Sequence, residues 1–195
     1  MKGDFLAYFK ELADRKNIKW RHVYKHFERF VNGRCTFEEV DVDLCRKFME
    51  YLLGAPQSIH TNQKLHINSA AGYWSAFRAV LHTAYRDRKI KENPNGFLDR
   101  IESIPTMREH LSQEELIRLA ETPCEEEVLK RAFLFGCLTG LRKSDIKQLT
   151  WQQIQPYTNG KMFVTTRMQK TKQIVHNPIS DEATDCLGNG ARAYL

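Results

Sequence analysis

Apolar residues in the first half of the chain recur at intervals of three and four, the period of helices that bury one face. Phe5, Leu6, Phe9 and Leu12 or Ala13 predict a helix over roughly residues 3–15. Asn17 is placed to cap a second, in which Val23, Phe27, Phe30 and Val31 form the apolar stripe and Gly33 ends the run. Its other face carries Lys19, Arg21, Lys25 and Arg29. Asp41 caps a third helix, lined by Leu44, Phe48, Tyr51 and Leu52 and closed by Gly54-Ala55-Pro56. The most regular segment runs from Ser69 to Arg88. There Ala70, Tyr73, Trp74, Phe77, Val80, Leu81, Ala84 and Tyr85 fall at 0, 3, 4, 7, 10, 11, 14 and 15, and the helix stops before Asn93-Pro94. Tyr73, Trp74 and Phe77 read as core, whereas Arg78, Arg86, Arg88, Lys89 and Lys91 lie off or beyond the stripe.

Four helices closing near residue 92 define a first unit, residues 1–92. Residues 93–110, with Pro94, Gly96, Pro105 and few apolar anchors, read as a linker to a second unit, residues 111–195. That unit opens on a capping box, Ser112 at N-cap and Glu115 at N3, with Leu116, Leu119 and Ala120 continuing the helix. Another helix starts near Glu125, passes through Val128, Leu129, Ala132 and Phe133, and ends at Gly140. Ser144 is expected to cap a short helix carrying Ile146 and Leu149. Arg142 then sits between two buried helices, able to offer a rigid bidentate fork to a phosphate or carboxylate. The competing reading is a local Arg142–Asp145 pair. Beyond Trp151 the period changes: Lys161–Arg167 and Gln173–Ile179 are rich in β-branched and aromatic residues, with turns at Asn159-Gly160 and Lys170-Thr171-Lys172. The expected fold class is mainly α with a small antiparallel β-sheet of two or three strands, one hairpin tipped by a lysine.

Composition narrows the function classes. A hydrophobic content of 42% and an aromatic content of 11% mark a globular chain. No apolar run approaches the ~20 residues a membrane span needs, and Met1-Lys2-Gly3-Asp4 lacks the apolar core of a signal peptide. The five cysteines show no ligand spacing and read as reduced, mostly packed thiols of a cytoplasmic protein, with Cys35, Cys45 and Cys137 in or near apolar patterns. His22 and His26 form an i, i+4 pair without a third ligand nearby, so no metal site is expected. Net charge is +6, and the charge is sorted by segment. Residues 2–34 carry nine Lys/Arg against four Asp/Glu and residues 142–172 seven against one, while residues 109–128 hold seven acids against Arg118 alone. Such sorting suits a chain with one side facing a polyanion.

The stretch from Thr139 to Trp151, Thr-Gly-Leu-Arg-x-Ser-Asp-Ile-x-x-Leu-x-Trp, resembles without a gap the first catalytic arginine box of the tyrosine recombinase family, the integrases of phages and conjugative elements. Leu111-Ser112-Gln113-Glu114-Glu115 is similar to the opening of the family's catalytic domain, and the Asn93-Pro94 turn to the close of its core-binding domain. The resemblance implies a helical core-binding (SAM-like) domain followed by the N-terminal half of a tyrosine recombinase catalytic domain. It implies metal-free transesterification without a cofactor, in which a tyrosine attacks a DNA phosphodiester and forms a 3′-phosphotyrosine. Arg142 would clamp the scissile phosphate, and Asp145 would orient the site by pairing with a basic neighbour. Lys170, by its spacing to Pro178, would protonate the leaving 5′-oxygen, with Lys172 as runner-up.

The implied partner is double-stranded DNA in the cytoplasm, on which the full-length enzyme assembles as a tetramer. Lys19, Arg21, Lys25, Arg29, Arg78, Arg86 and Arg88 are the expected phosphate contacts. The family's His-x-x-Arg box and late nucleophile find no match; Tyr194 follows the hairpin too closely, and Gly188–Arg192 reads as a frayed end. The expectation is a fragment or truncated copy that binds DNA without cleaving it. The alternatives are a non-enzymatic DNA-binding regulator that kept the fold, and a basic helical protein with an acidic protein partner.

Overall fold

Capping side chains set the helix starts of the first unit. In this computed structural model, which describes residues 3–58, 61–156 and 160–188, Asp4 accepts the Ala7 N–H at 3.0 Å and opens α1, Phe5–Asp14. Asn17 opens α2, Ile18–Phe30, through the Lys19 N–H, and Asp41 opens α3, Val42–Gly54, through the Leu44 N–H. The long helix α4, Ile67–Arg86, begins two residues before Ser69, with the His66 imidazole accepting the Asn68 N–H at 3.1 Å. Between α3 and α4 lies a two-stranded antiparallel ribbon that helical periodicity gave no sign of: β1, Pro56–Ser58, and β2, Thr61–Lys64.

The chain divides into two compact units, residues 1–107 and 108–195. The core of the first is aromatic. Phe5, Phe9, Phe27, Phe48, Trp74 and Phe77 are all buried, and the Phe77 ring lies 4.8 Å from Phe48 and 5.0 Å from Phe27. Each such side chain contributes about 1.5–3 kcal/mol by leaving water. Residues after α4 are built onto this core. Pro94–Phe97 forms a 3-10 turn capped by Asn93, Leu98 is buried, and the Trp74 indole donates to the Asp99 carbonyl at 2.8 Å. Asn68 exchanges two hydrogen bonds with the backbone of Ile104, at 2.8 and 2.9 Å. The first part of the expected linker thus packs on α4.

The second unit starts with α5, Gln113–Glu121, whose capping box joins Ser112 and Glu115 as expected. The following α6, Glu127–Thr139, stops at Gly140, whose φ of +68° is the left-handed conformation that glycine adopts at least cost. Arg142, not Ser144, occupies the N-cap position of α7, Lys143–Ile146; Ser144 is its second residue, and its hydroxyl is engaged by neighbouring Asp145 instead. Helix α6 also departs from a buried helix. Leu134 and Phe135 are buried, while Val128, Leu129 and Phe133 are 70%, 65% and 49% exposed.

Three antiparallel strands follow in the order β3 (Ile154–Pro156), β4 (Met162–Arg167), β5 (Ile174–Ile179), and α8, Asp181–Asp185, is capped by Ser180. Strand β4 alternates as a half-buried strand should, with Met162, Val164 and Thr166 inward. Pro178 pairs with Phe163 on the edge strand β5, where its missing N–H is tolerated. Of the five thiols, Cys35 and Cys45 are buried, but Cys137 stands exposed on the uncovered side of α6, as does Cys124 beyond α5. Among the described residues no helix is long and apolar enough to cross a membrane. Tyr194, Asn159 and the terminal residues from 189 onward lie outside the described residues.

Candidate nucleic-acid and phosphate site

The arginine box and the lysine turn are tied together by one buried carboxylate. Gly140 breaks α6, Leu141 is buried as an anchor, and the Arg142 backbone turns extended before its carbonyl accepts the Asp145 and Ile146 N–H groups that begin α7. The two helices approach closely at Gly136, where a Cβ would lie 3.0 Å from Ile146 Cδ1. This leaves the Arg142 side chain exposed, its Nη1 3.8 Å from the Met168 sulfur, at the end of β4.

Asp145 is only 2% exposed. Its Oδ1 accepts the Gln169 N–H at 2.9 Å, while Oδ2 is buried without a partner among the described residues. Asp145 therefore does not pair with Arg142, nor with any other basic side chain among the described residues; it holds the backbone of the lysine turn. That turn is closed further by Met168 N–H to Gln173 O at 2.9 Å and Lys172 N–H to Met168 O at 2.8 Å. Lys170 stands exposed at its apex. Lys172, with φ of +60°, lines an open polar cavity of about 280 Å³ together with Asp145, Gln148, Gln153, Thr166 and Gln169. Gln153 Nε2 donates to the buried Thr166 hydroxyl at 3.1 Å, fixing the cavity wall. Both lysines are thus within three residues of Gln169, whose N–H the carboxylate holds, and both are exposed. The roles of Gln169 and Met168 were invisible to spacing, because they act through a backbone N–H and a sulfur with no motif of their own.

The basic residues of the first unit fall into two sets. Lys19, Lys25 and Arg29 are exposed on α2, and Arg88 is exposed just past α4 with φ of +56°. Arg21 is drawn to Asp14 at 3.6 Å and Arg86 to Asp87 at 3.7 Å, both pairs well exposed. Such exposed pairs contribute ~0–1 kcal/mol and separate readily for a phosphate. Arg78 is engaged differently. Its guanidinium donates to the Asn95 side chain at 3.3 Å and Asn95 carbonyl at 3.1 Å, while Asn95 Nδ2 returns a bond to the Arg78 carbonyl at 2.8 Å. It clamps the 3-10 turn onto α4.

The His22–His26 pair also divides. His22 Nδ1 lies 3.2 Å from the Tyr73 hydroxyl, whereas His26 is buried beside the Tyr51 and Tyr73 rings with Nδ1 unpartnered. Burial, and then the charges of Arg29 and His22, push the His26 pKa below its ordinary value.

Residues 4–98 match the phage integrase SAM-like domain. No curated protein sequence matches the chain. Among solved structures the chain is similar to a lambda integrase tetramer bound to a Holliday junction, with a TM-score of 0.61 and 18% identity over 98% of this chain. It is similar to a lambda integrase dimer bound to a COC′ core site, with a TM-score of 0.62 and 18% identity over 94%. A third likeness is to the Tn1549 transposon integrase in complex with transposon right end DNA, with a TM-score of 0.61 and 14% identity over 94%. The chain spans 54% of each of those two lambda integrase chains and 63% of the Tn1549 one.

Proposed function

We propose that the chain, whose residues 4–98 match the phage integrase SAM-like domain, belongs to the tyrosine recombinase family of phage-type integrases, binds double-stranded DNA and carries the phosphate-clamping part of a strand-exchange site. The observation that supports this best is the Asp145–Gln169 hydrogen bond, which anchors the arginine box to the lysine turn inside one small unit. In this reading Arg142 is the fork for the non-bridging oxygens of a scissile phosphate, where preorganised positive charge stabilises the developing anion. Lys170, at the exposed apex, donates a proton to the departing 5′-oxygen when a tyrosine hydroxyl attacks phosphorus and the 3′-phosphotyrosine forms. Asp145 positions both by fixing the turn. Lys19, Lys25, Arg29, Arg86 and Arg88, with Arg21, supply phosphate contacts that set orientation. No metal or cofactor enters the scheme. The full-length enzyme works in the cytoplasm as a tetramer on DNA.

The nucleophile has no counterpart with a matching box in this sequence, so these 195 residues by themselves are assigned DNA binding without cleavage. Two measurements test the proposal. Affinity for duplex DNA should fall steeply between low and moderate salt, and Arg142→Ala should weaken it only a fewfold, as loss of one phosphate contact does. A suicide duplex substrate should yield no covalent protein–DNA adduct. Salt-insensitive or absent binding would overturn the DNA reading and favour an acidic protein partner. An adduct would overturn the assignment of inactivity.

A further inference from the structure

We infer that the β1–β2 ribbon is a DNA-reading element that enters the major groove and contacts base edges; this rests on the reading that the chain binds duplex DNA. The ribbon is stitched to the first unit at its base, where buried Leu65 donates its N–H to the carbonyl of buried Ala55 at 2.8 Å. Outward from there Pro56 pairs with Lys64 and Ser58 with Thr61, with a register shift between them. Gln57, Gln63 and Lys64 are exposed. From Pro56 to Lys64 only Pro56 and Ile59 are apolar, so the ribbon has little to offer the core. Two strands alone are marginally stable in water.

The chemistry of the partner follows from what the ribbon carries and what it lacks. The exposed Gln57, Gln63 and Lys64 carry two amides and an ammonium, groups that bond base edges, with Gln suited to adenine and Lys to guanine. A protein interface would instead present an aromatic or aliphatic centre. No Asp or Glu occurs between Glu50 and Asp87, a stretch that contains the whole ribbon and α4 together with Lys64, Arg78 and Arg86. An acid-free stretch of this length complements a polyanion. A two-stranded ribbon also has the cross-section that the major groove of B-form DNA admits.

The test selects duplexes from a randomised pool with the intact 195-residue chain, then measures affinity for the enriched duplex and for an unrelated one at low salt. With Gln57→Ala, Gln63→Ala and Lys64→Ala combined, affinity for the enriched duplex is expected to drop at least about tenfold, with less than about threefold loss on the unrelated duplex. Equal losses on both would leave the ribbon a mere phosphate contact and overturn base reading. Unchanged affinities would remove the ribbon from the interface. Failure of the unaltered chain to bind any duplex would overturn the DNA reading itself, a result separate from the other two. If the triple variant proves unfolded by circular dichroism, p-benzoylphenylalanine in place of Gln63 decides: cross-links to bases of the enriched duplex support the inference, and their absence while the protein still binds overturns it.

Discussion

At the scale of single residues, the second unit depends on a carboxylate whose role no charge pairing describes. Asp145 accepts a backbone N–H through one oxygen and buries the other without a partner. Asp145→Ala leaves the Gln169 N–H unsatisfied and should destabilise this unit by about 1–3 kcal/mol. Asp145→Asn retains an oxygen for that N–H and should lie within about 1 kcal/mol of the parent. Urea unfolding read beside hydrogen exchange at the Gln169 amide separates them; equal effects of the two substitutions would exclude the backbone role. His26 makes the matching case in the first unit. Its lowered pKa means that below the ordinary value of 6.5 the unfolded chain takes up a proton that the folded one refuses. Stability should therefore be full above that pH, fall as pH drops towards the folded value, and level off beneath it. Melting followed by tryptophan fluorescence between pH 7 and about 5 should show this loss, and His26→Gln should reduce it.

At the scale of elements, the legible parts were those with local causes. Asn17, Asp41, Ser112 and Gly140 marked helix ends because each satisfies orphan backbone groups on its own. The amphipathic stripes of α2, α3 and α4 were equally readable. The β1–β2 ribbon was not, since strands of three and four polar residues carry no apolar alternation. Ser144 failed as a cap because the Arg142 carbonyl already starts α7 two residues earlier, a consequence of how Gly140 and Leu141 redirect the chain. Cys137 reads as packed by period alone, yet it is exposed because only one side of α6 is covered. Burial pushes the Cys35 and Cys45 thiols up to about 12, leaving almost no thiolate at neutral pH. Iodoacetamide at pH 8, mapped by mass spectrometry, should modify Cys124 and Cys137 within the time that leaves Cys35 and Cys45 intact, until denaturant is added. Early modification of Cys45 would contradict the packing of α3.

At the scale of the whole molecule, apolar surface is shared unevenly between the two units. The first gathers Phe5, Phe9, Phe27, Phe48, Trp74 and Phe77 in one aromatic cluster, and that concentration is what made its helices readable from sequence. The second has a smaller core around Phe135, Leu141, Val164 and Ile179, and an apolar groove of about 420 Å³ on α6 and α7 lined by Leu129, Phe133, Gly136 and Ile146. Sequence periodicity reports that α6 has an apolar face, but it carries no information on whether another element covers it. An exposed apolar face of this kind binds hydrophobic dyes and promotes self-association. The chain should therefore enhance 8-anilinonaphthalene-1-sulfonate fluorescence and sediment faster as its concentration rises. Leu129→Glu with Phe133→Glu should diminish both effects, at little cost in folding because these side chains are already 65% and 49% exposed. The same pair of substitutions should leave salt-dependent DNA affinity nearly unchanged if DNA engages the basic surfaces. A parallel loss of DNA binding would mean that self-association through α6 contributes to that affinity.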